Sequence, residues 1–215
     1  MIPIVSVIGR SGSGKTTLLE KVIKRLTDKG YRVGTIKHDA HGFDIDYEGK
    51  DSWRHKKAGA KTVVLSSSKK IAVIKDVTRE WLPERLVSLF LDNLDIVITE
   101  GYKKAPFPKI ETVRKACSLK PISINDRNLI AIASDIKSRG KVPHFDINDS
   151  EGIADFIEEQ FLKVPTGKRA TLIVDGKVIT LKPFIEALLL ESISGTVRSL
   201  KGCTNPKYID IRIKV

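Results

Sequence analysis

Residues 9–16 read Gly9-Arg10-Ser11-Gly12-Ser13-Gly14-Lys15-Thr16 and fit G-x-x-x-x-G-K-[ST], the phosphate-binding P-loop. The motif sits between two readable elements. Before it, Ile2 to Ile8 is an apolar, β-branched run that reads as a buried strand. After it, Leu18, Leu19, Val22, Ile23 and Leu26 fall on one face of a helix. Glycine lets the backbone wrap closely around phosphate oxygens and turn successive N–H groups inward. The helix start adds unpaired N–H groups and the positive end of its dipole. The expected nucleotide-binding residues are therefore Gly9, Arg10, Ser11, Gly12, Ser13, Gly14, Lys15, Thr16 and Thr17. Lys15 reaches the β- and γ-phosphates, and Thr16 offers its hydroxyl to Mg²⁺.

The 215 residues are enough for one domain, or one with a small appendage, and 41% hydrophobic with 30% charged residues reads as globular. No apolar run reaches membrane-spanning length, and the start of the chain lacks the layout of a signal peptide. Cys117 and Cys203 are far apart and form no metal spacing, so a reducing, cytoplasmic setting is expected. The net charge of +12 suits anionic partners. Aromatic residues are only 6%, too few for a long base-stacking platform, and no zinc finger or RNP pattern is present. A nucleotide and other phosphorylated ligands explain the charge better than nucleic acid does.

Lys29-Gly30 ends the first helix, and Arg32 to Ile36 reads as a second strand. The polar stretch Lys37–Ser52 then follows a strand's carboxyl end, where α/β sheets build their ligand crevice. His38 and His41 have a short spacer but no further paired ligands, so phosphate-facing or solvated roles outrank zinc. A helix from Asp51-Ser52 to Ala58-Gly59 is rich in Lys and Arg, read equally well as a solvated face or an anion-binding one. Thr62–Ser66 and Ile71–Ile74 read as a hairpin, and Leu82–Leu91 as a helix with Pro83 in its first turn.

Leu94–Gly101 is an apolar strand that carries Asp95 at its start and Glu100 at its end. The end acid resembles a Walker-B carboxylate, which holds Mg²⁺ directly or through water. Five strand residues span about 16 Å, so both acids cannot lie at the phosphates. The carboxyl end faces the P-loop, which selects Glu100. Lys103 and Lys104 follow in a Pro-containing loop. Lys109–Val113, Leu129–Ala133 and Phe145–Ile147 read as further strands. Asp135, after the second of these, is either a base reader or a helix cap. The N-K-x-D guanine motif is absent. Asn148 or Asp149 is expected to cap a helix through Leu162.

These elements predict an α/β, three-layer P-loop NTPase fold with a mainly parallel sheet over residues 1–163. Val164-Pro165-Thr166-Gly167 reads as a linker, and residues 168–215 as a small β-β-α-β appendage. Its parts are a hairpin over Ala170–Leu181 with Asp175-Gly176 at the turn, a helix from Pro183 to about Leu200, and an alternating strand over Tyr208–Val215. Ten Lys/Arg against four Asp/Glu from Lys163 onward place half the net charge in about a quarter of the chain. With no catalytic constellation visible, a binding or assembly role is expected there.

The P-loop is generic, but its combination with later segments is narrower. Lys37-His38-x-x-His41-x-Phe43-x-x-Asp46-x-x-Gly49-Lys50-Asp51-Ser52, Ala58-Gly59-Ala60, Glu100-Gly101-Tyr102-Lys103 and Pro108-Lys109-Ile110-Glu111 occur in that order. Over residues 1–162 this resembles the MobB family, the adapters of molybdopterin-guanine dinucleotide biosynthesis. The resemblance implies a homodimeric, cytoplasmic GTPase of weak intrinsic activity that uses GTP and Mg²⁺. It implies molybdopterin or molybdenum cofactor as second ligand, and as partners a MobA-like guanylyltransferase and other cofactor-biosynthesis proteins. By position, Lys15 and Glu100 would serve catalysis, with Thr16 and Glu100 at the metal. Lys37, His38, Lys50, Asp51 and Lys103 would face the second ligand or the γ-phosphate. Asp46, with Asp39 behind it, is the candidate base for an attacking water.

Two other classes fit the P-loop. A small-molecule kinase should carry an Arg-rich lid, yet Phe107–Arg127 offers only Arg114 and Arg127. A non-catalytic, nucleotide-gated adapter would need binding and assembly without turnover.

Overall fold

The computed structural model describes residues 2–39, 41–91, 93–136, 141–163, 170, 172–174, 177–206, 209–211 and 213. Its first strand, β1 (Ile4–Gly9), is buried along its whole length. It enters α1 (Lys15–Asp28) through the P-loop. Gly30, at φ 92°, ends the helix, where the N–H of Tyr31 donates to Leu26 at 3.1 Å.

Four more strands and a short sixth complete the central sheet: β2 (Val33–Lys37), β5 (Ile96–Glu100), β6 (Lys109–Val113), β7 (Leu129–Ser134) and β8 (His144–Asp146). Between β2 and β5 lie α2 (Asp51–Lys57), a hairpin of β3 (Thr62–Ser66) and β4 (Ile71–Lys75), and α3 (Pro83–Phe90). The order is β2-β5-β1-β6-β7-β8, and every pairing in this sheet is parallel. The expected α/β fold with a mainly parallel sheet is what the structure has. The carboxyl ends of all six strands therefore open on one side.

The pleat divides the core into two faces. Val5 and Val7 point toward α1 and α4 (Ser150–Ile157), packing with Leu18, Val22, Leu26, Ile153 and Ile157. Ile4 and Val97 point the other way, against Val87 of α3. Helices on both faces explain why β1, β5 and β6 read as continuous apolar or buried runs. Asp149 caps α4 by accepting from Gly152 N–H at 2.8 Å. The helix expected through Leu162 is α-helical only to Ile157. Beyond it, Glu158–Leu162 widen into a π turn, in which Lys163 N–H reaches back to Glu158 at 2.8 Å. Glu158 also accepts from Tyr31 at 2.9 Å and pairs with Lys29, tying this turn to the end of α1.

Two buried charges in β6 are structural. Lys109, 1% exposed, pairs with Asp126 at 2.6 Å. Glu111, also 1% exposed, accepts from the N–H groups of Ile122 and Ser123 at 2.6 and 2.9 Å. Together they anchor the long connection between β6 and β7. Hydrogen bonding from Lys109, with help from Asn128 N–H, holds the Asp126 carboxyl below its ordinary range. A lowered folded-state pKa contributes stability that is complete above the unfolded value, near 3.9, and is lost as pH falls through the folded one. Asp126→Asn should therefore flatten the acid limb of the stability curve below about pH 4, read by chemical denaturation across pH. An unchanged acid limb would show that the pair contributes nothing there.

The C-terminal region contains a separate hairpin, β9 (Leu172–Val174) with β10 (Lys177–Ile179), and then α5 (Pro183–Arg198). The Asp175-Gly176 turn lies outside the described residues. Of the final strand expected over 208–215, Tyr208, Arg212, Lys214 and Val215 lie outside the described residues; the described ones, Ile209–Ile211 and Ile213, are not in a strand, which corrects the expectation there. A strand exists by pairing, and β9 and β10 pair only with each other among the described residues. α5 buries none of its side chains, and Phe184 is 74% exposed. No helix among the described residues is long and apolar enough to cross a membrane.

Candidate functional site

The P-loop conformation depends on left-handed backbone. Gly12 and Gly14 sit at φ 73° and 85°, and Gly14 is the N-cap of α1. Ser13 turns its hydroxyl inward, 1% exposed, and bonds Thr112 Oγ1 at 2.7 Å; Thr112 in turn donates to the Ile8 carbonyl at 3.2 Å. This buried hydroxyl chain pins the loop to β6, so Ser13 offers its backbone rather than its side chain to a ligand. Arg10, Ser11, Thr16 and Thr17 are exposed around the loop. Lys15 Nζ donates to the Arg10 carbonyl at 2.8 Å. Partial burial lowers the Lys15 pKa; Glu100 opposes that shift, and Lys103 and Lys37 reinforce it. These groups thus share one electrostatic neighbourhood.

Glu100 ends β5 beside β1, and the Thr16 hydroxyl donates to both its carboxylate oxygens at 3.1 Å. Asp95, at the far end of that strand, instead pairs with Arg32 at 2.9 Å. One hydroxyl and one carboxylate in contact make an oxygen pair that Mg²⁺ uses beside phosphate and water, so the residues present fit that ion. Among the described residues no group of three or more His, Cys, Asp or Glu is arranged to hold a metal alone.

The segment after Glu100 is shaped by two left-handed residues, Gly101 at φ 101° and Tyr102 at φ 54°. A Cβ on Gly101 would come within 3.0 Å of His38 Cβ, so glycine permits β2 and β5 to end side by side. His38 N–H donates to the Glu100 carbonyl at 2.9 Å, its ring lies 4.6 Å from that of Tyr102, and Nε2 is 2.9 Å from Glu80. Lys37 pairs in register with Glu100.

The other second-ligand candidates stay local. Lys50 is the N-cap of α2 and covers the Tyr47 ring at 5.0 Å, and Asp51 pairs with Arg54 at 3.6 Å. Asp46 accepts from Ser52 at 2.9 Å and from Tyr47 N–H at 3.1 Å, while its Oδ2 is buried without a hydrogen-bond partner. No hydrogen bond among the described residues joins Asp46 to the P-loop. Asp135 Oδ1 accepts from Lys115 N–H at 2.7 Å, clamping the loop after β6 to the end of β7.

That loop brings two residues that the site reading above omitted. Arg114 lies against Gly14 and Cys117 against Gly12. The local sequence around them is unremarkable. The available signal was topological, since parallel pairing of β6 with β1 puts the loop after β6 at the flank of the P-loop. Glu80, the partner of His38, had no sequence signal at all.

Residues 4–135 match the family model described as molybdopterin guanine dinucleotide synthesis protein B. A relative from Escherichia coli, named molybdopterin-guanine dinucleotide biosynthesis adapter protein, is 39% identical over 167 residues, covering 76% of this chain and 95% of its own length. A relative from Methanocaldococcus jannaschii is 31% identical over an alignment of 239 positions, covering 99% of this chain and 97% of its own, so the likeness runs through the C-terminal region. The crystal structure of Bacillus subtilis MobB superposes with a TM-score of 0.60 at 30% identity, covering 75% of this chain and 99% of that one.

Proposed function

The chain belongs to the molybdopterin-guanine dinucleotide synthesis protein B family, and from that premise we propose that it is a GTP-binding adapter that assists conversion of molybdopterin or molybdenum cofactor to its guanine dinucleotide form. It would act as a homodimer with a MobA-like guanylyltransferase and, beyond it, other cofactor-biosynthesis proteins. The observation that carries the nucleotide part is the Thr16–Glu100 contact at 3.1 Å beside a P-loop with left-handed glycines, where Lys15 precedes Thr16 and feels the Glu100 charge.

In this reading the P-loop N–H groups and Lys15 hold the phosphates, and Thr16 and Glu100 hold Mg²⁺. The ion supplies charge neutralisation for the phosphoryl oxygens. Lys37, His38 and Lys103, gathered around Glu100, face the γ-phosphate or a phosphorylated second ligand. Lys50 and Asp51 sit on the neighbouring polar segment and serve that ligand rather than the nucleotide. Asp46, whose buried Oδ2 has no hydrogen-bond partner among the described residues, is the candidate acceptor for the proton of an attacking water. Catalysis would come mainly from positioning and electrostatics. A base engaged with Ser52 and unlinked to the P-loop suits slow hydrolysis and a role in assembly more than in turnover.

Titration calorimetry with GTP and with ATP, each with Mg²⁺, tests the proposal. GTP should bind selectively, and Lys15→Ala should weaken it by roughly ten- to a hundredfold, the worth of a charge-assisted contact. Selectivity for ATP would turn the reading toward a kinase and an acceptor screen. Binding of neither by the unaltered chain would overturn it.

A further inference from the structure

Arg114 directly follows β6 and opens a tight turn in which the N–H groups of Cys117 and Ser118 both donate to its carbonyl, at 2.8 and 2.9 Å. The turn lies along the flank of the P-loop. A Cβ on Gly12 would meet Cys117 Sγ at 3.5 Å, and one on Gly14 would meet Arg114 Cζ and Nη2 at 3.6 and 3.7 Å. The guanidinium thus rests beside the N-cap of α1. Among the described residues it makes no hydrogen bond or ion pair. A half-buried guanidinium of five donors without a protein acceptor, placed at a phosphate loop, is open to an anionic ligand.

The position is built rather than incidental. Glu111 and Lys109 hold the connection after β6 from below, and Asp135 grips Lys115, the very next residue, from β7. The strand order also gives the site two sides. Thr16–Glu100 and Lys37 lie toward β5 and β2. Arg114 lies toward β6, with Ile147, which follows β8, at 3.7 Å from the same Gly14 position. A polyphosphate with its terminal group at Lys15 and Glu100 must run toward the β6–β8 side with its nucleoside end.

We infer that Arg114 is a nucleotide-binding residue whose guanidinium contacts the α-phosphate, at the nucleoside end of the ligand. The inference rests on the reading that the P-loop takes a nucleotide. It separates Arg114 from Lys15, which serves the terminal phosphates.

Titration calorimetry with GTP and with GDP, on the unaltered chain, Arg114→Ala, Arg114→Lys and Lys120→Ala, tests it, with thermal unfolding to show that each variant is folded. Arg114→Ala should weaken GTP and GDP by the same factor, about ten- to a hundredfold. Arg114→Lys should recover only part of this, because a point charge cannot reproduce a two-pronged contact. Lys120→Ala, an exposed cation on the same connection, should leave both affinities within about twofold. Unchanged affinities in Arg114→Ala alongside loss in Lys15→Ala would overturn the inference and leave the nucleotide reading standing. A loss confined to GTP, or an equal loss in Lys120→Ala, would also overturn it. Binding of neither nucleotide by the unaltered chain would remove the nucleotide reading and this inference with it.

Discussion

Glu111→Ala should cost about 3–5 kcal/mol of folding stability, because it strands the buried N–H group of Ser123, removes the acceptor of the Ile122 N–H and leaves a void where a buried side chain was. For a chain of this size that is a fall of roughly 6–20 °C in the unfolding midpoint. Glu111 is 1% and Ser123 9% exposed, and among the described residues neither donor has another partner, so water cannot repair the loss at Ser123 cheaply. Glu111→Gln keeps one acceptor oxygen in place and should lose distinctly less. The measurement is chemical denaturation of both variants beside the parent. A loss below about 1 kcal/mol for Ala, the net worth of one ordinary hydrogen bond, would mean that the connection after β6 is held by other contacts. The change reaches function as well as stability, since Glu111 anchors the connection that carries Arg114.

Gly9→Ala should damage the site from beneath. A Cβ there would stand 2.6 Å from both Ser13 Oγ and the Thr112 carbonyl oxygen, and it would crowd Thr112 Oγ1 as well. The hydroxyl could turn away, but the carbonyl belongs to β6 and moves only with the strand. Overpacking of this kind costs about 1–3 kcal/mol and more when backbone must shift. The shift breaks the Ser13–Thr112 contact that seats the P-loop, so GTP affinity should fall by more than about tenfold, as for loss of a charged contact. Gly30→Ala is the control. It has φ 92° but nothing within 4 Å of its Cβ, so it should cost only about 1–2 kcal/mol of backbone strain and spare the affinity. Equal affinities in the two variants would show that the buried hydroxyl chain does not seat the loop.

Much of this was legible in order along the chain. β1, the P-loop and α1 were readable together because the signals are local: an apolar run, glycines at strained positions, and a 3.6-residue period. β6 was read at its observed limits for the same reason. Strand length separates Glu100 from Asp95 and strand direction selects Glu100, and the structure puts Glu100 against Thr16 and Asp95 against Arg32. The errors came where a local pattern needed a distant partner. The alternation after residue 208 is strand-like, but alternation provides no neighbour to pair with. Lys109 and Glu111 are legible as part of a strand and of the family resemblance but not as buried charges, because nothing near them in sequence shows that they turn inward toward Asp126 and Ser123.

The sequence by itself therefore determined the phosphate loop, the elements on each side of it, the parallel α/β class and the acid at the end of β5. Each follows from short-range backbone geometry and side-chain period. Only the tertiary structure decided which distant residues share the loop's rim: Arg114 at Gly14, Cys117 at Gly12, His38 against Tyr102 and Glu80. It also decided that Asp46 is engaged by Ser52. Those meetings depend on the order in which strands pair across the sheet. That order is chosen by burial of both faces at once, a property of the whole core that no local stretch of sequence records.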